Sequence, residues 1–223
     1  MFKRQPFPYV KVCGITRPAD AQVAASAGAH FIGLVFYEPS PRHVTDGQAA
    51  AVLTALPGSV TPVAVLVDPP MERVATVYRL GIRWIQLSGH ERPDFVRALR
   101  DRWPDIRVLK ALHIATRSDA EQAGDYVGFV DGFLLDARRG GQYGGTGTTF
   151  DWNLVADWPY GPYLLAGGLS VDLLPEAWAW WRDHPPCVGL DLSSALEARP
   201  GVKDPAKVQA FFRVYDRLRL RRE

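Results

Sequence analysis

The sequence predicts a single α/β domain spanning residues 1–223, closed as a (β/α)8 barrel of the TIM type. Three observations predict it: eight short apolar runs recur along the chain, they are nearly continuous rather than alternating, and helix-like stretches lie between them. Continuous apolar runs suit parallel strands buried on both faces, and alternating strand and helix argue for a sheet built from βαβ units. Eight repeats in 223 residues give a mean spacing of about 28 residues, a compact version of the barrel. The rival is a doubly wound open sheet, which binds its ligand through a glycine-rich first turn. The first turn here, CGITRP, has no GxGxxG.

The elements follow in order. YVKVC (9–13) leads to PADAQVAASAG (18–28), where Pro18 suits a first helical turn and Gly28 a C-cap. FIGLVF (31–36) and PVAVLV (62–67) are the next strands, and PMERVATVYRLG (70–81) has Pro70 and Gly81 in the same two roles. WIQL (84–87) precedes the helix-like ERPDFVRALRDRW (91–103), and RVLKAL (107–112) and GFLLD (132–136) come next. YLLAGG (163–168) and VGLDL (188–192) complete the set of strands. In AWAWWRD (177–183), Trp178 and Trp181 share a face at i, i+3 spacing and pack on the barrel. Trp180 points elsewhere, to solvent or to a second subunit, which makes a homodimer one expectation.

Composition bounds the function classes. Hydrophobic residues at 47% and charged residues at 22% are those of a globular protein, and a chain of this length buries a core without disulfides or structural metal. No apolar run approaches the roughly 18 residues that span a bilayer, and Gln5, Pro6 and Pro8 break any signal-peptide core in MFKRQPFPYV. Cys13 and Cys187 then read as reduced thiols, and a cytoplasmic location is expected. A net charge of +2 is too small to indicate nucleic acid. The terminal Arg213, Arg217, Arg219, Arg221 and Arg222 suit the negative end of a last helix, with no aromatics interleaving the last arginines. The expected partner is a small molecule, neither nucleic acid nor membrane.

In such barrels the chemistry lies at the C-terminal ends of the strands. Here those positions hold Cys13, Arg42, Asp68, Gln86, Ser88, Lys110, Asp136, Gly167, Gly168, Asp191, Ser193 and Ser194. A free cysteine is most often a small buried hydrophobe, as Cys187 at the start of the last strand reads, but Cys13 points into the mouth. Asp136 ends an apolar strand, where a carboxylate is costly unless it pairs, with Arg138 or Arg139, or works as a general acid whose pKa burial raises. GGQYGGTGTTFDW (140–152) lacks the Gly-Lys-Ser/Thr of a nucleotide loop. It reads as a flexible lid or a surface loop. Gly167-Gly168 and Ser193-Ser194 stand in the loops after strands seven and eight, where barrels bind phosphate. Arg42, in SPRHVT (40–45), suits a bidentate clamp on a carboxylate. Histidines 30, 43, 90, 113 and 184 offer no HxxxH or HExxH pattern, so no metal is expected, and no GxSxG elbow occurs.

Assembled, these residues resemble the phosphoribosylanthranilate isomerase family of tryptophan biosynthesis. The resemblance is carried by KVCGITRPADA (11–21), GLVFYEPSPRHV (33–44), QLSGHE (86–91), LLDARRGGQYGGTGTTFDW (134–152), LLAGGL (164–169) and DLSSALEARPGVKDPAKV (191–208). It implies an Amadori rearrangement of N-(5-phosphoribosyl)anthranilate to the 1-amino-1-deoxyribulose phosphate isomer. By the same resemblance Asp136 is the general acid at the furanose ring oxygen and Cys13 the general base at ribose C2. Arg42 contacts the anthranilate carboxylate, Asp191 orients the substrate, and Gly167, Gly168, Ser193 and Ser194 hold the phosphate. No cofactor is implied, because the substrate nitrogen is the electron sink. The sequence departs from the family at Ser88, where a histidine is usual, and at Ala195, where a glycine is usual.

A free thiol near pKa about 8.5 and an ordinary aspartate near about 3.9 are poorly matched to neutral pH. The expectation is that burial raises Asp136 and that helix N-termini favour thiolate at Cys13. The alternatives are another phosphate-binding barrel, such as a sugar-phosphate isomerase or the indole-glycerol-phosphate synthase, or a non-catalytic phosphoribosyl-ligand barrel. The synthase needs lysine chemistry at the mouth, and only Lys11 and Lys110 lie on barrel strands.

Overall fold

The computed structural model describes residues 2, 5–137 and 150–221. Eight parallel strands close into a barrel in chain order: β1 (Tyr9–Cys13), β2 (Phe31–Val35), β3 (Thr61–Leu66), β4 (Trp84–Leu87), β5 (Arg107–Ile114), β6 (Gly132–Ala137), β7 (Tyr163–Leu165) and β8 (Cys187–Leu192). Seven α-helices lie among and after them: α1 (Pro18–Ala27), α2 (Asp46–Ala55), α3 (Met71–Arg79), α4 (Pro93–Arg102), α5 (Arg117–Glu121), α6 (Leu174–Asp183) and α7 (Pro205–Leu220). Between β6 and β7 the described helical segment is a single 3-10 turn, Trp152–Val155. No helix among the described residues is long and apolar enough to cross a membrane.

Local chemistry sets the boundaries. Pro18 opens α1 and Gly28 closes it in the left-handed region at φ 111°. Thr45 and Gln48 form a reciprocal capping box at the start of α2. The other proline–glycine pair differs from expectation by one position at each end. Pro70 is the extended N-cap of α3 rather than its first turn, and Gly81, at φ 90°, follows the C-cap Leu80. After β8 the chain turns back through a 3-10 turn at Ser194–Leu196 and a two-stranded antiparallel ribbon, β9 (Glu197–Arg199) and β10 (Val202–Lys203). The apolar runs did not signal this ribbon, and it delivers Glu197 and Lys203 to the site.

Residue size along the barrel axis makes the room for a ligand. Phe31, Val63, Leu109, Leu164 and Val188 fill the lower interior together with Tyr9, Trp84 and Phe2. The Phe2 ring lies 4.9 Å from that of Trp84, so the chain's second residue plugs the barrel floor. Above this layer the inward side chains shrink to Cys13, Val35 and Val65 on one side and Ala111, Leu134 and Ala166 on the other. A packed barrel is normally filled to the mouth. Here small residues stop the filling short and leave a cavity of about 470 Å³ at the C-terminal ends of the strands.

Trp178 and Trp181 are buried against the barrel as expected. Trp180 is half-buried rather than free for solvent or a neighbour. Its Nε1 donates to the Tyr163 hydroxyl at 2.8 Å and its ring stacks on His184 at 3.5 Å. Cys187 is fully buried at the start of β8, as its position suggested.

Candidate active site

Period-two alternation puts Lys11 and Cys13 on the same inward face of β1, and the β1–β8 register sets Lys11 directly beside Asp191. Lys11 is fully buried, and its Nζ donates to Asp191 Oδ1 at 2.8 Å. Burial alone would strip the ammonium of its proton, but Asp191 and Cys13 outweigh it and hold the pKa above that of an ordinary lysine. Gly33 on β2 makes this cluster possible. A Cβ there would stand 2.6 Å from Cys13 Sγ and 3.2 Å from Lys11 Nζ.

Cys13 corrects one expectation. Burial pushes its thiol pKa up, Lys11 pulls it down, Asp191 adds to the rise and Lys203 opposes it, with a net upward shift. The groups that favour thiolate include two lysines that were not expected, and they only partly offset burial. Lys203 reaches this region from β10. Its Nζ donates to Glu197 Oε1 at 3.0 Å and to the Ser193 carbonyl at 3.1 Å, and burial keeps its pKa below the usual lysine value.

Asp136 sits at the end of β6 and lines the cavity. Burial is the largest influence on its carboxyl and Asp191 the next, and together they raise the pKa to about 6 against the opposing Ala137 N–H and Lys11. The Ala137 N–H donates to Oδ1 at 2.8 Å. Gly167 has φ 80°, and a Cβ on it would lie 2.7 Å from that same Oδ1 and 2.6 Å from the Ala137 nitrogen. Glycine at this position thus serves the carboxylate as well as the loop after β7. Arg138, Arg139 and the glycine-rich stretch up to Thr149 lie outside the described residues, as do the ion-pair and lid readings that rest on them.

Arg42 lies in the loop after β2 and lines the cavity, yet its fork is engaged within the chain. Nε and Nη2 donate to the two oxygens of Glu197 at 2.9 and 2.8 Å. The bidentate partner is thus a protein carboxylate, and the Nη1 edge of the guanidinium is the part without a partner among the described residues. Glu197 is held below the usual carboxylate range, because Arg42 and Lys203 outweigh its burial. Gly14 permits the approach of Arg42, whose Cδ would be 2.6 Å from a Cβ there.

Gly168, at φ 66°, and Ser194 line the same cavity. Ser193 does too, but its hydroxyl donates to the Cys13 carbonyl at 3.2 Å. Gln86 and Ser88 are the other expected strand-end residues that face the cavity, and His113 on β5, which was not expected there, lines it as well. Asp68 and Lys110 do not. Asp68 is exposed, and Lys110 is buried against Glu91 at 2.8 Å. The Glu91 carboxylate also accepts the Asp68 and Gly89 N–H groups, so Lys110 clasps the loops after β3 and β4 to β5.

A half-buried acid and a buried thiol at the mouth of one barrel admit more than one chemistry, and the comparison with known families decides among them. The family model for N-(5'-phosphoribosyl)anthranilate isomerase matches residues 10–214. The chain belongs to this family. Among family members, that of Afipia carboxidovorans is 40% identical over 92% of this chain and 87% of its own. That of Nostoc punctiforme is 38% identical over 91% and 96%. The crystal structure of the Thermotoga maritima isomerase superposes with a TM-score of 0.83 at 31% identity, over 94% of this chain and 98% of that one. Another structure of the family holds reduced 1-(o-carboxyphenylamino)-1-deoxyribulose 5-phosphate and matches with a TM-score of 0.78.

Lys11, Lys203 and Glu197 were not among the site residues expected from sequence. Lys11 carried a signal: a lysine at the centre of the buried strand YVKVC, two residues before Cys13, has no place to point but inward. Lys203 and Glu197 carried none, because a ribbon that no apolar run announces brings them to the mouth.

Proposed function

We propose that this chain, as one domain, rearranges N-(5'-phosphoribosyl)anthranilate to 1-(2-carboxyphenylamino)-1-deoxyribulose 5-phosphate by general acid–base catalysis. The observation that carries the reading is the pairing, in one cavity, of a carboxyl raised to about 6 with a thiol flanked by a buried ammonium. Asp136, as the neutral acid, gives its proton to the furanose ring oxygen, and the C1–O bond breaks to leave a protonated Schiff base. Cys13, as thiolate, takes the C2 proton. The C2–H electrons form the enolamine and are accepted by the nitrogen, and tautomerisation gives the ketone. Lys11 and Lys203 stabilise the thiolate, and Lys11 with Asp191 holds it beside C2.

Arg42 meets the anthranilate carboxylate through its Nη1 edge, with Glu197 fixing the guanidinium plane. Gly167, Gly168, Ser193 and Ser194 receive the phosphate at the opposite end. The substrate nitrogen is the electron sink, so the residues need no cofactor for these steps. The acid has the lower pKa of the two groups, so the productive form, protonated Asp136 with Cys13 thiolate, is a minority at every pH. Its fraction rises up to about pH 6 and is then constant until Cys13 titrates. The two barrel-strand lysines are committed, Lys11 to Asp191 and Lys110 to Glu91, and Lys203 of β10 is paired with Glu197, which disfavours the lysine chemistry of the synthase. The protein acts in a cytoplasm on this reading. For a homodimer the described surface offers little apolar area, since Val127 and Leu220 are its exposed large hydrophobic side chains.

The test is turnover of phosphoribosylanthranilate, generated in situ, by the wild type and by Asp136→Asn. Activity in the wild type that collapses in a folded variant supports the reaction and the acid together. Inactivity of a well-folded wild type refutes the reading.

A further inference from the structure

Besides Asp136 and His113, which also line the cavity, the strands bring polar groups to it at two places. One is the Cys13–Lys11–Asp191 cluster on β1 and β8. The other is on β4, across the barrel, where Gln86 and Ser88 stand among Val65, Ala111 and Leu134. Gln86 is 5% exposed, and its Nε2 donates to Ser88 Oγ at 3.0 Å. Its carbonyl, Oε1, is buried with no hydrogen-bond partner among the described residues. A buried unpaired carbonyl destabilises a protein, and nearly all such groups are satisfied. Core packing would be better served at this position by leucine or methionine. Ser88 fixes the amide plane, so the unpaired oxygen is held rather than free to turn away.

We propose that Gln86 is a substrate-positioning and specificity residue whose side-chain carbonyl accepts the N–H of the anthranilate nitrogen. The inference rests on the reaction proposed above. An acceptor repels phosphate and carboxylate, which leaves the N–H and the sugar hydroxyls as candidate donors. The wall adjoining β4 is apolar, formed by Val35 on β2, Val65 on β3 and Val67 just past it. It suits the aromatic ring, and the ring brings its own nitrogen, rather than the sugar, beside Gln86. Sugar C2 then faces Cys13 from the other side. Ring opening makes this nitrogen cationic while its N–H stays in place, so the contact is stronger in the transition state than in the bound substrate and acts on kcat.

The experiment compares Gln86→Met, of similar shape but without a hydrogen-bonding group, with the wild type. Turnover, thermal midpoint and binding of two probes are measured: the reduced product analogue, which has the N–H, and ribulose 5-phosphate, which lacks it. The expected result is a kcat lower by roughly 10- to 100-fold and analogue affinity weaker by about 10-fold or more. Ribulose 5-phosphate binding is unchanged and the thermal midpoint is equal to or above that of wild type. Ser88→Ala lowers kcat in the same sense and Ser88→Thr restores it. Unchanged kcat and analogue affinity overturn the proposal. So does an equal loss of both probes, which assigns the carbonyl to a sugar hydroxyl. A lower thermal midpoint also overturns it, because the amide is then a structural group. If the wild type does not turn over its substrate, the reaction is refuted instead, and the two binding arms still test Gln86.

Discussion

Replacing Asp136 by asparagine tests both the chemistry and the electrostatics of the site. Asparagine keeps an oxygen acceptor for the Ala137 N–H, which donates to Asp136 Oδ1 at 2.8 Å, and removes the titration. The carboxyl pKa is raised from 3.8 to about 6 on folding. A carboxyl raised in this way binds its proton more tightly in the folded state. Its contribution is neutral below about 3.8, and stability is lost as pH rises through the interval up to about 6, the reverse of a salt-bridged aspartate. The rise from 3.8 to about 6 is a cost of about 3 kcal/mol at pH 8. Asp136→Asn should therefore gain stability relative to wild type as the pH is raised. The gap should widen by about 2–3 kcal/mol between pH 4 and pH 8, or roughly 5–10 °C in melting temperature for a chain of this size. Paired urea titrations at the two pH values measure the gap, and subtracting one protein from the other cancels every other titrating group. The same variant should lose roughly 10²–10⁴-fold in kcat. A gap that is the same at both pH values would show that Asp136 is not destabilised by burial, and the acid assignment would lose its physical basis.

Other predictions follow from the same geometry. In wild type, kcat/KM should fall below about pH 6 and be flat above it until Cys13 titrates, and a profile with no limb near 6 refutes the assignment. Lys11→Met removes the largest influence holding the Cys13 thiol down. The pH dependence of iodoacetamide alkylation, measured in a Cys187→Ala background, should then move upward, whereas an unmoved curve refutes the role of Lys11. Gly167→Ala places a methyl 2.7 Å from Asp136 Oδ1 at a φ of 80° and should lower kcat by about 100-fold, the scale of a misplaced acid. Retained turnover would show that the loop gives way. Phe2→Ala unplugs the barrel floor and should cost roughly 1–3 kcal/mol, less than a fully buried phenylalanine, with kcat unchanged. A change in kcat instead would show that the floor and mouth are coupled.

The fold was legible because it is written in repeats. Every strand expected from an apolar run is present, most within a residue or two of its expected bounds, since strands buried on both faces cannot tolerate polar interruption. Where the structure differs from the sequence pattern, the cause is local. YLLAGG runs on to 168, but β7 stops at Leu165, because Gly167 and Gly168 both adopt positive φ and leave the ladder. Pro70 and Gly81 sit one place outside their expected positions because extended N-caps and left-handed residues after the C-cap are satisfied by the same residue types. Helical spacing alone points Trp180 outward. The spacing is correct, but Tyr163 and His184 rise to meet it.

The site was legible as a set of positions and not as a set of charges. The strand-end rule finds Cys13, Asp136 and Asp191 because it depends only on where strands stop. Their protonation depends on what converges from elsewhere. Asp191 lies far from Lys11 in sequence, and barrel closure makes the two adjacent; Lys203 arrives on a ribbon with no apolar pattern. The same convergence explains why Arg42 was read as a free clamp. Nothing near SPRHVT announces Glu197, and without that carboxylate an arginine at the mouth has both edges open. Burial adds a sign that composition does not carry. It raises the thiol and the carboxyl together, so two groups of unequal ordinary acidity are both driven toward their neutral forms, and the buried ammonium of Lys11, with Lys203, keeps a fraction of the thiol ionised while Asp136 still has a proton to give.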